Sequence, residues 1–480
     1  MKFTFLLITF VLFFEIKAQA PEKFYARYGG SGYDVGYDVK QTLDKGYIIT
    51  GSTSSMGVGN TDMYLLKLDS MGHVKFQNTF GNANNDIGKE VIQLIDSSYI
   101  MVGYTNSIGF GGYDIFLVKA DKYGMLQWQK TIGSTDWDFA NSLQQTTDGG
   151  FIIAGSTYSY GYGNEDGYVI KTDANGNITW SKTFGGPEDD GFKSVIQTSD
   201  GGYALCGTTK SYGDENGDAW VFKLLANGDS AWSKTFGGVK EDFVNKVIQL
   251  QNGDVLVAGG NTNTSNTVLT LLIRYDNSTG NQLWDYPDPG SNSEYYNSCV
   301  VGLNNNFVGC GKTKNPIYGN QALIDVYTPS FGYVNFYAFA TGNNDELFSV
   351  CKTKDKGFAL VGSTQGTFFT LQDVLFMKID SVGNYGGNIT SINSLGYESL
   401  QVQLFPNPTT DNVNCQIKGE AYFKKLNFKI VDIKGTEYLK SDIHENTFSF
   451  SVKEFSSGLY FIQLFDGNNL LKIEKISVIR

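Results

Sequence analysis

The chain is poor in the residues that most often do chemistry. Its 480 residues hold two histidines, His73 and His444, and three arginines, Arg27, Arg274 and Arg480. Histidine is the commonest zinc ligand and the usual general base near neutral pH, so catalysis or metal binding built on it is close to excluded. Three scattered arginines cannot supply the cluster that clamps a carboxylate. No basic patch offsets the net charge of −12, and a nucleic-acid binder needs one. The same acidity argues against adhesion to anionic lipid. There is no Gly-x-Ser-x-Gly elbow, no P-loop and no Gly-x-Gly-x-x-Gly in a βαβ setting. Beyond the N-terminus no apolar run approaches the roughly 20 residues of a membrane-spanning helix. No stretch joins helical periodicity to capping residues.

Cysteine is scarce and odd in number: Cys206, Cys299, Cys310, Cys351 and Cys415. A two-residue turn at Asn304-Asn305 would set Cys299 directly opposite Cys310. The matching slots in the second unit hold Val91 and Val102. The pair therefore reads either as two buried apolar positions or as a disulfide.

What is abundant is repetition. Asp34, Asp86, Asp138, Asp190, Asp242 and Glu294 stand 52 positions apart, and Asp345 follows one residue early. Trp180-Ser181-Lys182-Thr183-Phe184-Gly185-Gly186 returns as Trp232-Ser233-Lys234-Thr235-Phe236-Gly237-Gly238, and Gly51-Ser52-Thr53 returns as Gly155-Ser156-Thr157. Each unit carries four short runs rich in β-branched and aromatic residues, bounded by Gly, Asn and Asp, which read as strands. Four antiparallel strands per unit at this period predict a seven-bladed β-propeller over residues 21–385. The N-terminal Phe24-Tyr25-Ala26-Arg27-Tyr28-Gly29-Gly30 matches the fourth strand of later units. It is expected to complete the seventh blade and close the ring. The Trp-bearing strand would then be outermost, and the strand starting at the acidic marker would line the channel.

Units of the form Gly-Gly-x-x-x-Asp, apolar strand, Gly-Ser-Thr resemble bacterial propeller-repeat families over roughly residues 24–385. Those families share a fold rather than one activity. The C-terminus carries a second resemblance. Pro406, Asn407 and Pro408 follow Phe405. Gly435 closes an apolar strand, and Gly458 and Tyr460 open another. A basic-apolar end follows at Lys472-Ile473-Glu474-Lys475-Ile476. Order and spacing look like the type A sorting domain of the Bacteroidota type IX secretion system. The resemblance implies a small Ig-like β-sandwich at 401–480, recognised by the outer-membrane translocon. Residues 1–20 read as a secretory signal peptide, with Lys2, the apolar Phe3–Phe14 and the Ala18-Gln19-Ala20 end. Residues 386–400 read as a linker.

Two sets of residues are candidates for binding. The acidic markers Asp34, Asp86, Asp138, Asp190, Asp242, Glu294 and Asp345 would either gather at the channel mouth, where carboxylates suit calcium, or cap their own Gly-rich loops. The loops after the second strand of each unit offer Tyr158, Tyr160, Tyr162, Tyr212, Asp214 and Asp218, either as ligand contacts or as plain turn chemistry. Apart from calcium no cofactor is expected. The leading expectation is a secreted or surface-attached propeller that recognises an extracellular polysaccharide or protein without catalysis. A carbohydrate-active enzyme with paired carboxylates and a structural envelope component are the alternatives.

Overall fold

The structure is a computed structural model. It describes residues 23–287, 293–303, 305–315, 319–328, 332–339, 344–365, 371–384, 401–418, 426–432, 436–443, 445, 447–466 and 469–479. The expected signal peptide and linker, and the sorting-motif residue Gly435, lie outside these.

Among the described residues the regular structure is strand. The third repeat shows the unit: Asp138–Gln145, Phe151–Thr157, Asp166–Thr172 and Ile178–Phe184 pair in that order, each antiparallel to the next. Seven such blades follow one another. The sixth and seventh touch through a single parallel pair, Asn320 with Asn344. The ring closes as the repeat requires. Phe24–Tyr28 runs antiparallel to Gln372–Ile379, with Phe24 opposite Lys378 and Tyr28 opposite Val374. The first strands of successive blades contact one another all the way round, so they line the channel.

Burial follows from the layering. The middle strands are covered on both faces by neighbouring blades, and Phe151–Thr157 is buried at every position. Ile100, Val102 and Leu117 of the second blade pack with Leu143, Phe151 and Ile153 of the third. The outer strand Ile178–Phe184 is exposed or half-buried at every position. The Asp-Gly turns serve this core too. Lys171 lies buried along the third strand with its Nζ 2.8 Å from Asp148 of the hairpin turn, and Lys67–Asp44, Lys223–Asp200 and Lys378–Asp355 repeat the pair at 3.0, 3.1 and 2.9 Å. The carboxylate thus sits where it can neutralise an ammonium held away from water.

One pairing expected from the sequence is corrected. Cys299 lies opposite Gly309, and Cys310 lies opposite Ser298. The turn is longer than two residues: Gly302 and Asn306 close it, with Asn305 at φ 63°. That shifts the register by one, and a shift of one sends side chains to opposite faces. Cys299 joins the core with Leu256 and Tyr296, while Cys310 joins the core with Ile324 and Leu360. All five cysteines are free and buried.

The C-terminal strands form two sheets. One is Gln401–Phe405, Asn412–Lys418 and Thr447–Ser451. The other is Glu437–Asp442, Leu426–Asp432, Gly458–Asp466 and Asn469–Val478. Val413, Cys415, Ile430, Ile462 and Ile476 share the core between them. The motif residues hold its ends. Asn407 donates from Nδ2 to the Lys475 carbonyl at 2.7 Å and accepts from the Ser477 N–H at 2.9 Å, and buried Tyr460 donates to the Ser456 carbonyl at 3.1 Å.

Candidate functional site

Every inner strand carries a β-bulge at the same place. Pairing skips one residue between Gly36 and Asp38, and the same skip recurs in all seven blades. The skipped residues are Tyr37, Lys89, Asn141, Lys193, Asn245, Asn297 and Phe348. A bulge re-aims the side chain of its extra residue, and all seven line one central cavity of about 160 Å³. The glycine of each Gly-Ser-Thr element explains why the bulge fits. A Cβ on Gly155 would stand 1.9 Å from the Phe139 carbonyl oxygen, and on Gly51 or Gly103 1.8 Å from the equivalent atom. Only glycine lets the bulged strand come so close.

The frame is constant, but its channel residues change among Tyr, Lys, Asn and Phe. Beside the bulge residues lies a charge-balanced layer. Lys40 Nζ is 2.6 Å from Asp38 and 3.3 Å from Glu90, and Lys246 is 3.5 Å from Glu90. Burial opposes ionisation of Glu90, but Lys246, Lys40, the Leu143 N–H and the Ser142 hydroxyl outweigh it and hold the carboxyl well below the usual carboxylate range. Asp38 also accepts from Ser349 at 2.6 Å, across the seam between the first and seventh blades. In the bulge layer itself, Lys89 and Lys193 have no carboxylate partner among the described residues. Burial and the neighbouring Lys193 push the Lys89 ammonium down to about 8.

From Lys89 an aromatic series runs outward. Its Nζ stands 3.9 Å from the Tyr37 ring centre and 5.8 Å from that of Tyr104. Tyr104 meets Phe139 at 4.9 Å and Tyr113 at 5.4 Å. Tyr113 meets Trp137 at 6.2 Å, and Trp137 meets Tyr158 at 5.9 Å. Trp137 is 49% exposed at the rim.

The loop residues singled out from sequence do not converge. Tyr158 joins the aromatic series and donates to Glu165 at 3.0 Å. Tyr160 packs on Tyr168 and donates to the Gly133 carbonyl at 3.1 Å, where it borders an outer cleft of about 690 Å³ between the second and third blades. Tyr212 repeats that arrangement one blade on, donating to the Gly185 carbonyl at 2.8 Å. Tyr162 points out, 90% exposed. Asp218 is buried and accepts the Asp214 N–H at 2.9 Å.

The acidic markers are spent locally. Asp138 accepts from the Thr157 and Ser159 hydroxyls and, at 2.9 Å, from the Ser134 N–H. Asp190 accepts from Thr209, Ser211 and the Gly186 N–H, and Asp242 from Asn261, Thr262 and the Gly238 N–H. Asp34 and Asp86 cap the Gly30 and Asn82 N–H groups, and Glu294 accepts from Thr313. Asp345 is fully buried. Among the described residues no three His, Cys, Asp or Glu side chains are grouped to hold a metal. A second carboxylate faces several of these caps. At the Cβ position of Gly133 the oxygens of Asp114 and Asp138 would be 2.2 and 2.6 Å away, and at Gly237 those of Asp218 and Asp242 would be 2.0 and 2.6 Å away. Burial raises Asp86, Asp114, Asp218 and Asp242 above the usual carboxylate range, and a neighbouring aspartate adds to it in each case.

Sequence reasoning missed Tyr37, Lys89, Lys193, Tyr104, Tyr113 and Trp137. For Tyr37, Lys89 and Lys193 a signal was present: the position three after each acidic marker changes among Tyr, Lys, Asn and Phe from unit to unit.

Residues 403–479 match the family of secretion system C-terminal sorting domains. The chain is therefore exported by the type IX system to the cell surface or extracellular space, and its tail engages that machinery. No helix among the described residues is long and apolar enough to cross a membrane. A segment is 26% identical over 201 residues to "Regulatory protein FlaEY" of Caulobacter vibrioides. It covers 36% of this chain and spans only 21% of that relative's length. Among solved structures, a puromycin hydrolase is 12% identical with a TM-score of 0.49, covering 81% of this chain and 58% of the other. A fungal alcohol oxidase of the AA5 family with copper is 11% identical at 0.46, covering 96% and 100%. PorZ, a surface component of the type-IX secretion system of Porphyromonas gingivalis, is 12% identical at 0.31, covering 91% and 64%. Likenesses this distant carry no argument about function, and the propeller rests on the strand pairing itself.

Proposed function

We propose that the exported propeller binds an extracellular polysaccharide, without turning it over, on the face where the channel opens beside the second and third blades. The observation that carries this reading is the aromatic series from Tyr37 to Trp137 and Tyr158. Flat rings offer stacking area at little entropic cost, and they sit beside amides and carboxylates that can take hydroxyl hydrogen bonds. A hydrolase reading is less supported. A glycosidase needs an acid kept protonated near neutral pH, and Glu90 in the channel is held ionised. The carboxylate pairs elsewhere recur at successive blade junctions, as scaffold features do.

Affinity gel electrophoresis of the full chain through gels cast with different polysaccharides tests the proposal. Trp137→Ala is expected to weaken retardation by roughly tenfold in Kd, as for a large aromatic anchor of a binding face. Tyr162→Ala, on the outward tip, is expected to leave it unchanged. Retardation of Trp137→Ala equal to that of the parent would overturn the reading.

A further inference from the structure

The channel layer is electrostatically unbalanced in a direction opposite to the whole molecule. The chain carries a net charge of −12, yet its bulge layer holds two ammonium groups and no carboxylate. The lysines of the adjoining layer are matched: Lys40 to Asp38 and Glu90, and Lys246 to Glu90. Lys89 and Lys193 line the same small cavity, and Lys193 disfavours the charge on Lys89. The protein tolerates this repulsion at a place where every blade could have supplied a neutral residue, as Asn141, Asn245 and Asn297 do.

Two like charges held together around a small space are stabilised by an anion placed between them. Lysine suits that role, since it acts as a compact point charge with three donors. The cavity of about 160 Å³ is also lined by Asp38 and Glu90, whose charges Lys40 and Lys246 match, and it admits one small group rather than a polymer strand. Lys89 also joins the channel to the outer face, because its Nζ lies over Tyr37 and within reach of Tyr104, where the aromatic series begins. A ligand whose rings stack along that series would bring its end to the two lysines.

We infer that Lys89 and Lys193 form an anion subsite that receives the carboxylate of an acidic sugar, so that the polysaccharide recognised is a uronate-bearing one. This rests on the polysaccharide reading above. It adds the chemical class of the ligand and two specificity-determining residues.

Calorimetry on the full chain tests it with four probes: oligogalacturonate, its methyl ester, dextran sulfate and a poly-glutamate peptide. The acid is expected to bind roughly tenfold more tightly than its uncharged ester, the difference a charge-assisted contact supplies. Lys89→Met and Lys193→Met should each remove that preference, while Lys193→Arg should keep it. Lys193 is exposed, so its variant tests the charge without disturbing the fold. Trp137→Ala should weaken acid and ester alike. If acid and ester bind equally and both still depend on Trp137, the anion subsite is refuted and the polysaccharide reading stands. Tighter lysine-dependent binding of dextran sulfate than of the uronate would overturn the choice of carboxylate. Lysine-dependent binding of poly-glutamate alone would overturn the glycan class, and binding of no probe would overturn both readings.

Discussion

Asp373 faces Asp34 across Gly29 at the seam that closes the ring, with oxygens 2.3 and 2.7 Å from where a Cβ on that glycine would stand. Burial and Asp34 push its carboxyl up to about 6, against the pull of Arg27. A carboxyl whose folded value lies above its unfolded value of about 3.9 holds its proton more tightly in the folded chain. It therefore destabilises the fold above about pH 6, and the penalty fades as pH falls towards 4. Asp373→Asn should raise the melting temperature at about pH 7.5, by on the order of 2 °C for a domain of this size. The gain over the parent should shrink towards zero at about pH 4.5. A gain independent of pH, read by thermal unfolding across that range, would contradict the account. The pairing was not legible in the sequence. Asp373 falls outside the seven-member series and meets Asp34 only through closure of the ring.

The blade is legible because its chemistry repeats. The acidic marker, the Gly-Ser-Thr element and the Trp-bearing strand each return at 52 residues, and inner, middle and outer strands follow from them. The bulge was not legible, since a strand pattern carries no mark for one unpaired residue in eight. Its trace is the recurrent glycine opposite. Gly155→Ala would force a Cβ to within 1.9 Å of the Phe139 carbonyl oxygen. Such overpacking costs about 1–3 kcal/mol. Gly149→Ala sits in open space but at φ +84°, and the left-handed conformation alone costs about 1–2 kcal/mol. Urea unfolding should show both variants destabilised. The Gly155 variant should also weaken ligand binding, because it moves Asn141, whereas Gly149→Ala should not. The cysteines show the limit of such reading. Whether the turn before Phe307 has two residues or more decides which face Cys299 occupies, and composition alone does not settle that.

At the scale of the whole molecule, sequence repetition and the C-terminal motif were enough to place the propeller and its export. The candidate site was not readable in the same way. It is assembled from one residue of each of seven blades, separated by hundreds of positions and united only by closure of the ring. Its distinguishing property is departure from the repeat. The most direct measurement is a polysaccharide array probed with the full chain beside Trp137→Ala and Lys193→Met. The account predicts selective binding of uronate-bearing polysaccharides by the parent, loss of that selectivity in Lys193→Met and binding weakened roughly tenfold in Trp137→Ala. A bare array, or one on which all three proteins bind alike, would contradict it.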